Sequence, residues 1–175
     1  MKLAWIIGGA TFAVDQLTKL AVVQGLDLIN RGVIEVVPPY LVFRMAWNRG
    51  INFGLLAQDG DLVRWGLVAL SLAITLWVWL WVRRDTPGPW AQVAAGLLMG
   101  GALGNVIDRV VYGAVADFLN MSCCGIENPF AFNVADIAIF AGAFGLVLFT
   151  GKDKDAGQTG VKGGGKPRAG RRKTP

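Results

Sequence analysis

Four stretches of this 175-residue sequence are apolar over lengths close to the thickness of a lipid bilayer. A bilayer core of about 30 Å is crossed by about 20 helical residues, because an α-helix rises about 1.5 Å per residue. The stretches cover residues 3–23, 65–82, 91–107 and 129–150, and few charged side chains interrupt them. The sequence therefore predicts an all-α membrane protein with four transmembrane helices.

The first stretch also resembles a cleaved signal peptide, because Lys2 precedes the apolar run. A signal peptide stays apolar through its central region, however, and here Asp15 and Lys19 interrupt the run. Three further apolar stretches follow. We therefore expect the first stretch to be a retained membrane span.

The composition excludes several kinds of catalytic chemistry. The sequence contains no histidine, and Ser71 and Ser122 are its only serines. Sites that use a Ser/His pair, a Cys/His pair or an imidazole-bound metal are therefore excluded. Cys123 and Cys124 are adjacent, which is too close for an unstrained disulfide. Any reaction at this protein would have to use carboxylates.

The net charge of +5 comes from the end of the chain. Residues 151–175 contain eight lysines and arginines against two aspartates, and almost nothing apolar. This composition is typical of a disordered segment, so residues 1–150 are predicted to form the folded domain and residues 151–175 a basic tail. The charge gives no indication of a nucleic-acid partner.

Basic residues in the short loops predict the orientation. Lys2, the Arg83/Arg84 pair and the basic tail fall on one side of the predicted spans, and the positive-inside rule makes that side cytoplasmic. Both termini are then cytoplasmic, and residues 24–64 lie on the outer, periplasmic side. Residues 33–37 and 40–46 are rich in β-branched and aromatic side chains and flank two prolines. They predict a small β-sheet at the outer membrane surface.

Four carboxylates are predicted to lie at one depth. Counted along the helices from the cytoplasmic face, Asp15 lies about 18 Å deep and Asp108 about 26 Å deep. Asp117 follows the third span, and Asp136 begins the fourth. All four therefore fall in the outer third of the membrane, where ionisable groups are costly and usually mark function.

Several of these polar residues also have an ordinary structural interpretation. Asp15 and Lys19 have the i, i+4 spacing of a helix salt bridge. Asp108 and Arg109 are neighbours, so each is expected to hold a nearby loop or backbone group. Asn133 is a candidate N-cap of the last helix, with its side chain accepting the backbone N–H three residues on. The small residues Gly100, Gly101 and Gly104 are expected to allow close helix packing.

Asp117 and Asp136 have no basic residue within one helical turn, and each lies at the end of a predicted span. Two such carboxylates facing each other suggest an aspartyl hydrolase, because neighbouring carboxyls cannot both ionise cheaply and one keeps a proton. The ionised carboxylate deprotonates a water, and the protonated one activates the scissile carbonyl. This chemistry requires no metal and no cofactor.

The polar clusters resemble the ordered motifs of the lipoprotein signal peptidase family, the bacterial signal peptidase II. They read Asp-Gln-x-x-Lys at 15–19, Asn-x-Gly-x-x-Phe-Gly at 48–54, Gly-Asn-x-Ile-Asp-Arg at 104–109, Val-Ala-Asp-Phe at 115–118 and Phe-Asn-x-Ala-Asp at 132–136. Each motif alone is a weak signal, but their order on a chain with four apolar stretches is specific. Ile51 and Asn52 depart from the small residues usual in the family.

The resemblance implies an aspartic endopeptidase of the bacterial inner membrane that removes signal peptides from prolipoproteins. It would cut before a cysteine that carries a diacylglyceryl group, act among membrane lipids, and be inhibited by the cyclic peptide globomycin. Asp117 and Asp136 match the family's catalytic pair, and Phe53 and Gly54 belong to its substrate-side segment. The matching supporting residues are Asp15, Lys19, Asn48, Gly50, Asn105, Asp108, Arg109 and Asn133.

Two other classes of protein also place carboxylates in a membrane. A small proton-coupled transporter would use them as a proton relay, but it usually shows a repeat or a polar path through the whole bilayer. A non-catalytic partner protein would use the basic tail to bind anionic lipid, and it would not need two isolated aspartates.

Overall fold

The computed structural model describes residues 1–50, 60–125 and 128–150. Five helices and three strands follow one another along these residues, and a π-helical turn at Leu20–Gly25 continues the first helix. The helices are α1 Lys2–Lys19, α2 Leu28–Arg31, α3 Gly60–Asp85, α4 Pro89–Tyr112 and α5 Val134–Thr150; the strands are β1 Val33–Val37, β2 Leu41–Asn48 and β3 Val115–Asn120.

Three helical segments of the described chain are long and apolar enough to cross a membrane: Lys2–Gly25, Asp61–Asp85 and Pro89–Tyr112. Of the four predicted spans, three are helices of this length, and the fourth predicted stretch forms a shorter apolar helix, Val134–Thr150. Many large apolar side chains on these helices face outward, including Phe140 and Val147, which are 76% and 75% exposed. Exposed apolar surface of this extent is suited to contact with lipid.

Helix α4 is the centre of the bundle. Two thirds of its apolar span (67%) is buried inside the protein, against 17% for each of the other two spans. Pro89 occupies the first turn of α4, and Gly113 ends the helix in the left-handed conformation with φ 79°, which are favoured residues at those positions. Helices α1, α3 and α5 all pack against α4.

Glycines of α4 allow the neighbouring helices to approach closely, as predicted. A Cβ on Gly101 would lie 2.5 Å from the backbone oxygen of Ala135 in α5, and one on Gly100 would overlap the backbone oxygen of Gly8 in α1. At Gly104 the obstacle would be a carboxylate oxygen of Asp15, at 2.5 Å. These glycines set how near the polar groups on adjacent helices can come.

The strands form one antiparallel sheet in the order β1-β2-β3. The two strands predicted before and after the prolines are confirmed, with Ile34 opposite Phe43. The third strand was not predicted, and it pairs with β2 so that Asp117 lies opposite Ala46. Phe118 is buried at 1% exposure and packs edge-to-face on Phe43, with ring centres 6.0 Å apart.

Replacing Gly101 with alanine should lower the stability of the bundle by about 1–3 kcal/mol, because the new methyl group meets backbone that cannot rotate away. Thermal unfolding of the purified protein in detergent measures this effect. Gly66→Ala is the matched control, because a Cβ there meets nothing within 4 Å. Equal melting temperatures for the two variants would contradict the close packing of α4 and α5.

Candidate active site

A buried lysine joins α1 to α4. The Nζ of Lys19 lies 2.8 Å from Oδ2 of Asp15 and 2.7 Å from Oδ2 of Asp108. The lysine is 6% exposed, and the two aspartates are 0% and 1% exposed. The predicted i, i+4 pair is therefore confirmed, but the second ion pair was missed because its partners are far apart in the sequence.

Each of these two aspartates also holds the backbone next to another carboxylate. Oδ1 of Asp15 accepts the backbone N–H of Ala135 at 2.9 Å, and Oδ2 of Asp108 accepts that of Ala116 at 3.1 Å. Ala135 and Ala116 are the residues immediately before the two predicted catalytic aspartates. The ion-paired carboxylates thus fix the start of α5 and the start of β3 relative to α1 and α4.

Asp117 is held by two side-chain amides. Its Oδ2 accepts a hydrogen bond from Nδ2 of Asn48 at 3.0 Å, and its Oδ1 accepts one from Nδ2 of Asn133 at 2.6 Å. Asn48 ends β2, the strand paired with β3, so the sheet itself places this amide beside the carboxylate. Asp117 is only 3% exposed.

Asp136 is fixed by a reciprocal cap at the start of α5. Oδ1 of Asn133 accepts the backbone N–H of Asp136 at 2.9 Å, and Oδ2 of Asp136 accepts the backbone N–H of Asn133 at 3.2 Å. The predicted N-cap is confirmed, and the two reciprocal hydrogen bonds between Asn133 and Asp136 resemble those of a capping box. The cap leaves the amide nitrogen of Asn133 free to bind Asp117, so this one fully buried side chain connects the two aspartates.

Asn105 of α4 completes the connection to the lysine. Its Nδ2 donates to Oδ1 of Asp136 at 2.9 Å. Its Oδ1 accepts from Nδ2 of Asn133 at 3.3 Å and from Nζ of Lys19 at 3.4 Å. The structure therefore brings nearly all the predicted site residues into one hydrogen-bonded cluster: Asp15, Lys19, Asn48, Asn105, Asp108, Asp117, Asn133 and Asp136.

Two residues that the sequence analysis did not assign to the site support this cluster. Gln16 donates through Nε2 to Oδ1 of Asp108 at 3.2 Å. Arg64 of α3 donates to the backbone oxygens of Arg109 and Val110 at 2.7 and 3.1 Å, and thereby caps the last turn of α4. Nothing local in the sequence indicates the Arg64 contacts, because the acceptors are backbone groups of a distant helix.

The remaining predicted residues lie at the edge of the cluster or outside it. Arg109 donates through Nη1 to the backbone oxygen of Asn105 at 3.3 Å. Gly50 donates its backbone N–H to Oδ1 of Asn48 at 3.0 Å. Its φ of 101° is positive, and glycine adopts positive φ values more readily than other residues. The residues predicted at 51–54, including Phe53 and Gly54, fall outside the described residues.

The environment of Asp117 makes its carboxyl less acidic than an ordinary aspartate. Burial raises the pKa of this carboxyl, and the nearby charge of Asp136 raises it further. The hydrogen bonds from Asn48 and Asn133 and the charge of Lys19 act in the opposite direction, and the resulting pKa is about 6. A carboxyl with such a pKa exchanges its proton near neutral pH, as acid–base catalysis requires.

The four carboxylates therefore fall into two kinds. Asp15 and Asp108 share a cation, whereas Asp117 and Asp136 form no ion pair within the described parts of the chain and bind neutral amides. Two carboxyls of the second kind can hold one proton between them and exchange it with a bound water. Residues 1–50, 60–125 and 128–150 contain no group of three side chains placed to hold a metal ion.

Comparison with known proteins identifies similar sequences over most of the chain. The family model described as signal peptidase (SPase) II matches residues 7–151. A lipoprotein signal peptidase of Methylorubrum extorquens is 47% identical over 139 residues, which are 79% of this chain and 80% of the relative. Those of Methylobacterium radiotolerans and Burkholderia mallei are 46% and 40% identical, over 79% and 76% of this chain and 79% and 78% of their own lengths.

Two solved structures have the same fold. Both are described as bacterial membrane enzymes studied by the in meso method, at 2.3 and 1.9 Å resolution. The first is 26% identical, with a TM-score of 0.70 and coverage of 96% of both chains. The second is 28% identical, with a TM-score of 0.73 and coverage of 87% of this chain and 95% of the other.

Replacing Lys19 with methionine should destabilise the protein by about 3–5 kcal/mol, because two buried carboxylates lose their shared cation. Thermal unfolding in detergent measures the loss. Asp61→Asn is the control, because Asp61 is 86% exposed in its ion pair with Arg64 and such pairs contribute about 0–1 kcal/mol. If Lys19→Met unfolds at the same temperature as the control, the lysine does not hold the cluster together.

Two substitutions should move the pKa of Asp117 in opposite directions. Asp136→Asn removes a negative charge that disfavours ionisation, so the pKa should fall below about 6. Asn48→Ala removes a donor that favours the ionised form, so the pKa should rise. Carboxyl ¹³C chemical shifts of labelled aspartate, followed through a pH titration, measure both changes. Shifts in the same direction would show that the described contacts do not control this proton.

Proposed function

Because the chain belongs to the signal peptidase II family and is thus an aspartic peptidase of lipoprotein processing, we propose that Asp117 and Asp136 are its catalytic pair. One observation carries this assignment. A single buried side chain, Asn133, bonds to the carboxylate of Asp117 and caps the helix at Asp136. Both carboxyls are therefore held close to one buried amide, and neither forms an ion pair with a cation of the described residues.

The proposed reaction begins with one proton shared between the two carboxyls. The ionised carboxylate takes a proton from a water, and the water oxygen attacks the scissile carbonyl carbon. The protonated carboxyl donates its proton to the carbonyl oxygen as a tetrahedral diol forms. As the diol collapses, one of its hydroxyls returns a proton to the second carboxylate, the peptide C–N bond breaks, and the proton first taken from water passes to the leaving amine. The pair ends with one proton, as it began.

The asparagines have positioning roles in this scheme. Asn48 and Asn133 each donate to Asp117, and Asn105 donates to Asp136, so the amides orient both carboxyls while leaving acceptor sites for water. Because these donors are neutral, they do not fix the carboxylates in the ionised state as a lysine partner would. The proton can therefore move between the two aspartates.

The proposed substrate is a prolipoprotein whose cysteine already carries a diacylglyceryl group, and the cut falls just before that cysteine.

We place the chain in the bacterial inner membrane with four spans, both termini cytoplasmic and the sheet periplasmic. Helix α5, with 17 residues, would be the fourth span, at about 25 Å and the short end of the usual range. A lipid-modified substrate then reaches the site sideways from the bilayer. Globomycin is the expected inhibitor, and the basic residues 151–175 lie outside the catalytic domain.

Asp117→Asn and Asp136→Asn should each lower the turnover of a lipidated prolipoprotein by at least about 100- to 10,000-fold, the usual contribution of general acid–base catalysis. The double variant should be hardly slower than either single one, because residues that act as a unit are not additive. A gel-shift cleavage assay on purified protein measures all three rates.

The exposed Asp61→Asn variant is the matched control for these substitutions, and it should cleave at the rate of the unchanged protein. Thermal unfolding verifies that the inactive variants remain folded. Near-normal turnover by a folded Asp117→Asn or Asp136→Asn protein would remove that residue from the chemistry. Such a result would favour a proton-relay role for the carboxylates.

The unmodified precursor should be cleaved much more slowly than the diacylglyceryl form. Each buried CH₂ of an acyl chain contributes about 0.8 kcal/mol to membrane or groove binding, so the two chains dominate recognition. Cleavage rates of the two precursors at equal concentration in the same detergent test this expectation. Equal rates would show that the enzyme does not recognise the diacylglyceryl group of its substrate.

A further inference from the structure

An apolar slot runs along the bundle between α1 and α3. Its volume is about 570 Å³, and its floor is formed by α4. One end of the slot lies at Ala4 and Trp79, and the other at Phe12 and Leu72. The lining is almost entirely apolar, and none of the catalytic or supporting residues of the proposed site belongs to it.

The length of the slot matches one half of a bilayer. Ala4 and Phe12 are eight residues apart on one helix, which corresponds to about 12 Å. The hydrocarbon core of one leaflet is about 15 Å deep. An opening of this length in a lipid-facing surface is suited to a single acyl chain that enters from one side of the membrane.

The end of the slot at Ala4 and Trp79 is positively charged. We call it the terminal end, because the amino group of Met1 donates to Gln92 there, at 2.7 Å. The described residues place four cationic groups at this end against one carboxylate: Met1, Lys2, Arg83 and Arg84 against Asp85. An anionic headgroup is favoured at this end by several attractions at once.

One of these cations is tied to the slot itself. The guanidinium of Arg83 lies over the ring of Trp79, 5.5 Å from its centre, and Trp79 forms part of the slot wall. A lipid whose acyl chain lies in the slot therefore has a cation beside its headgroup.

We propose that the slot between α1 and α3 is a binding site for an anionic phospholipid of the leaflet at the terminal end, with one acyl chain in the slot and the phosphate on Arg83. The site is separate from the proposed catalytic pair. Its occupant is a resident membrane lipid and not the lipidated substrate, because the cationic groups lie where α1 begins and α3 ends, whereas Asp15 and Lys19 lie at the other end of α1.

Matched substitutions distinguish lipid binding in the slot from attraction of lipid by diffuse surface charge. Arg83→Gln and Arg84→Gln remove the same charge at adjacent positions, but only Arg83 stacks on the slot wall, whereas the Arg84 side chain is 90% exposed. Gly9→Leu fills the slot from α1, because Gly9 lines it and a Cβ there meets nothing within 4 Å. Gly66→Leu adds the same side chain to an equally open position on α3 outside the slot.

Native mass spectrometry of the full chain in detergent, titrated with dioleoyl phosphatidylglycerol or dioleoyl phosphatidylcholine, measures occupancy. We expect one phosphatidylglycerol to bind more tightly than phosphatidylcholine. Arg83→Gln should weaken its binding about tenfold more than Arg84→Gln, which should cost at most about fivefold through diffuse attraction. Gly9→Leu should abolish the bound lipid, and Gly66→Leu should retain it.

Three results would overturn the proposal: equal affinity for the two lipids, equal losses for the two arginine variants, or undiminished binding to Gly9→Leu. The inactive Asp136→Asn protein serves as a further control and should bind the lipid as the unchanged protein does. Lipid binding and peptide cleavage can therefore fail independently of each other.

Discussion

The ion pairs of Lys19 are the interaction on which the rest of the site depends. One buried cation neutralises Asp15 and Asp108, and each carboxylate then has oxygens available for backbone N–H groups. Those groups belong to Ala135 and Ala116, the residues just before the proposed catalytic aspartates. The attraction within a buried ion pair offsets the cost of removing its charges from water only if further hydrogen bonds satisfy the remaining lone pairs. Here those further hydrogen bonds hold two backbone segments, at the start of α5 and at the start of β3.

The proposed chemistry depends on a contrast between two kinds of buried carboxylate within one cluster. Asp15 and Asp108 form ion pairs with Lys19, while Asp117 and Asp136 accept hydrogen bonds from neutral amides. Asn133 is central to this contrast, because it caps α5 through its oxygen and binds Asp117 through its nitrogen. The same side chain that starts a helix thus joins the two proposed catalytic groups, so local helix stability and site geometry cannot be changed separately at this position.

Sequence patterns indicated the features whose causes are local. The apolar stretches, the strands around the two prolines, the Asp15–Lys19 pair and the N-cap at Asn133 all depend on neighbouring residues, and the structure confirms them. The third strand, the Lys19–Asp108 pair and the Arg64 cap of α4 depend on residues that are distant along the chain. A single sequence carries no direct signal for such contacts. Helix α5 is a case between these two groups. Its composition predicts a membrane span, but its 17 residues make it shorter than the three helices that are long enough to cross a membrane.

The most direct test of the proposed water chemistry is a single turnover on lipidated prolipoprotein in H₂¹⁸O, followed by mass spectrometry of the released signal peptide and of the enzyme's own peptides. If the carboxyl pair activates a water that attacks the substrate, one ¹⁸O enters the new carboxyl terminus of the signal peptide. The peptides that contain Asp117 and Asp136 then stay unlabelled. Label in either aspartate side chain would show a covalent acyl intermediate on the enzyme and would contradict the account.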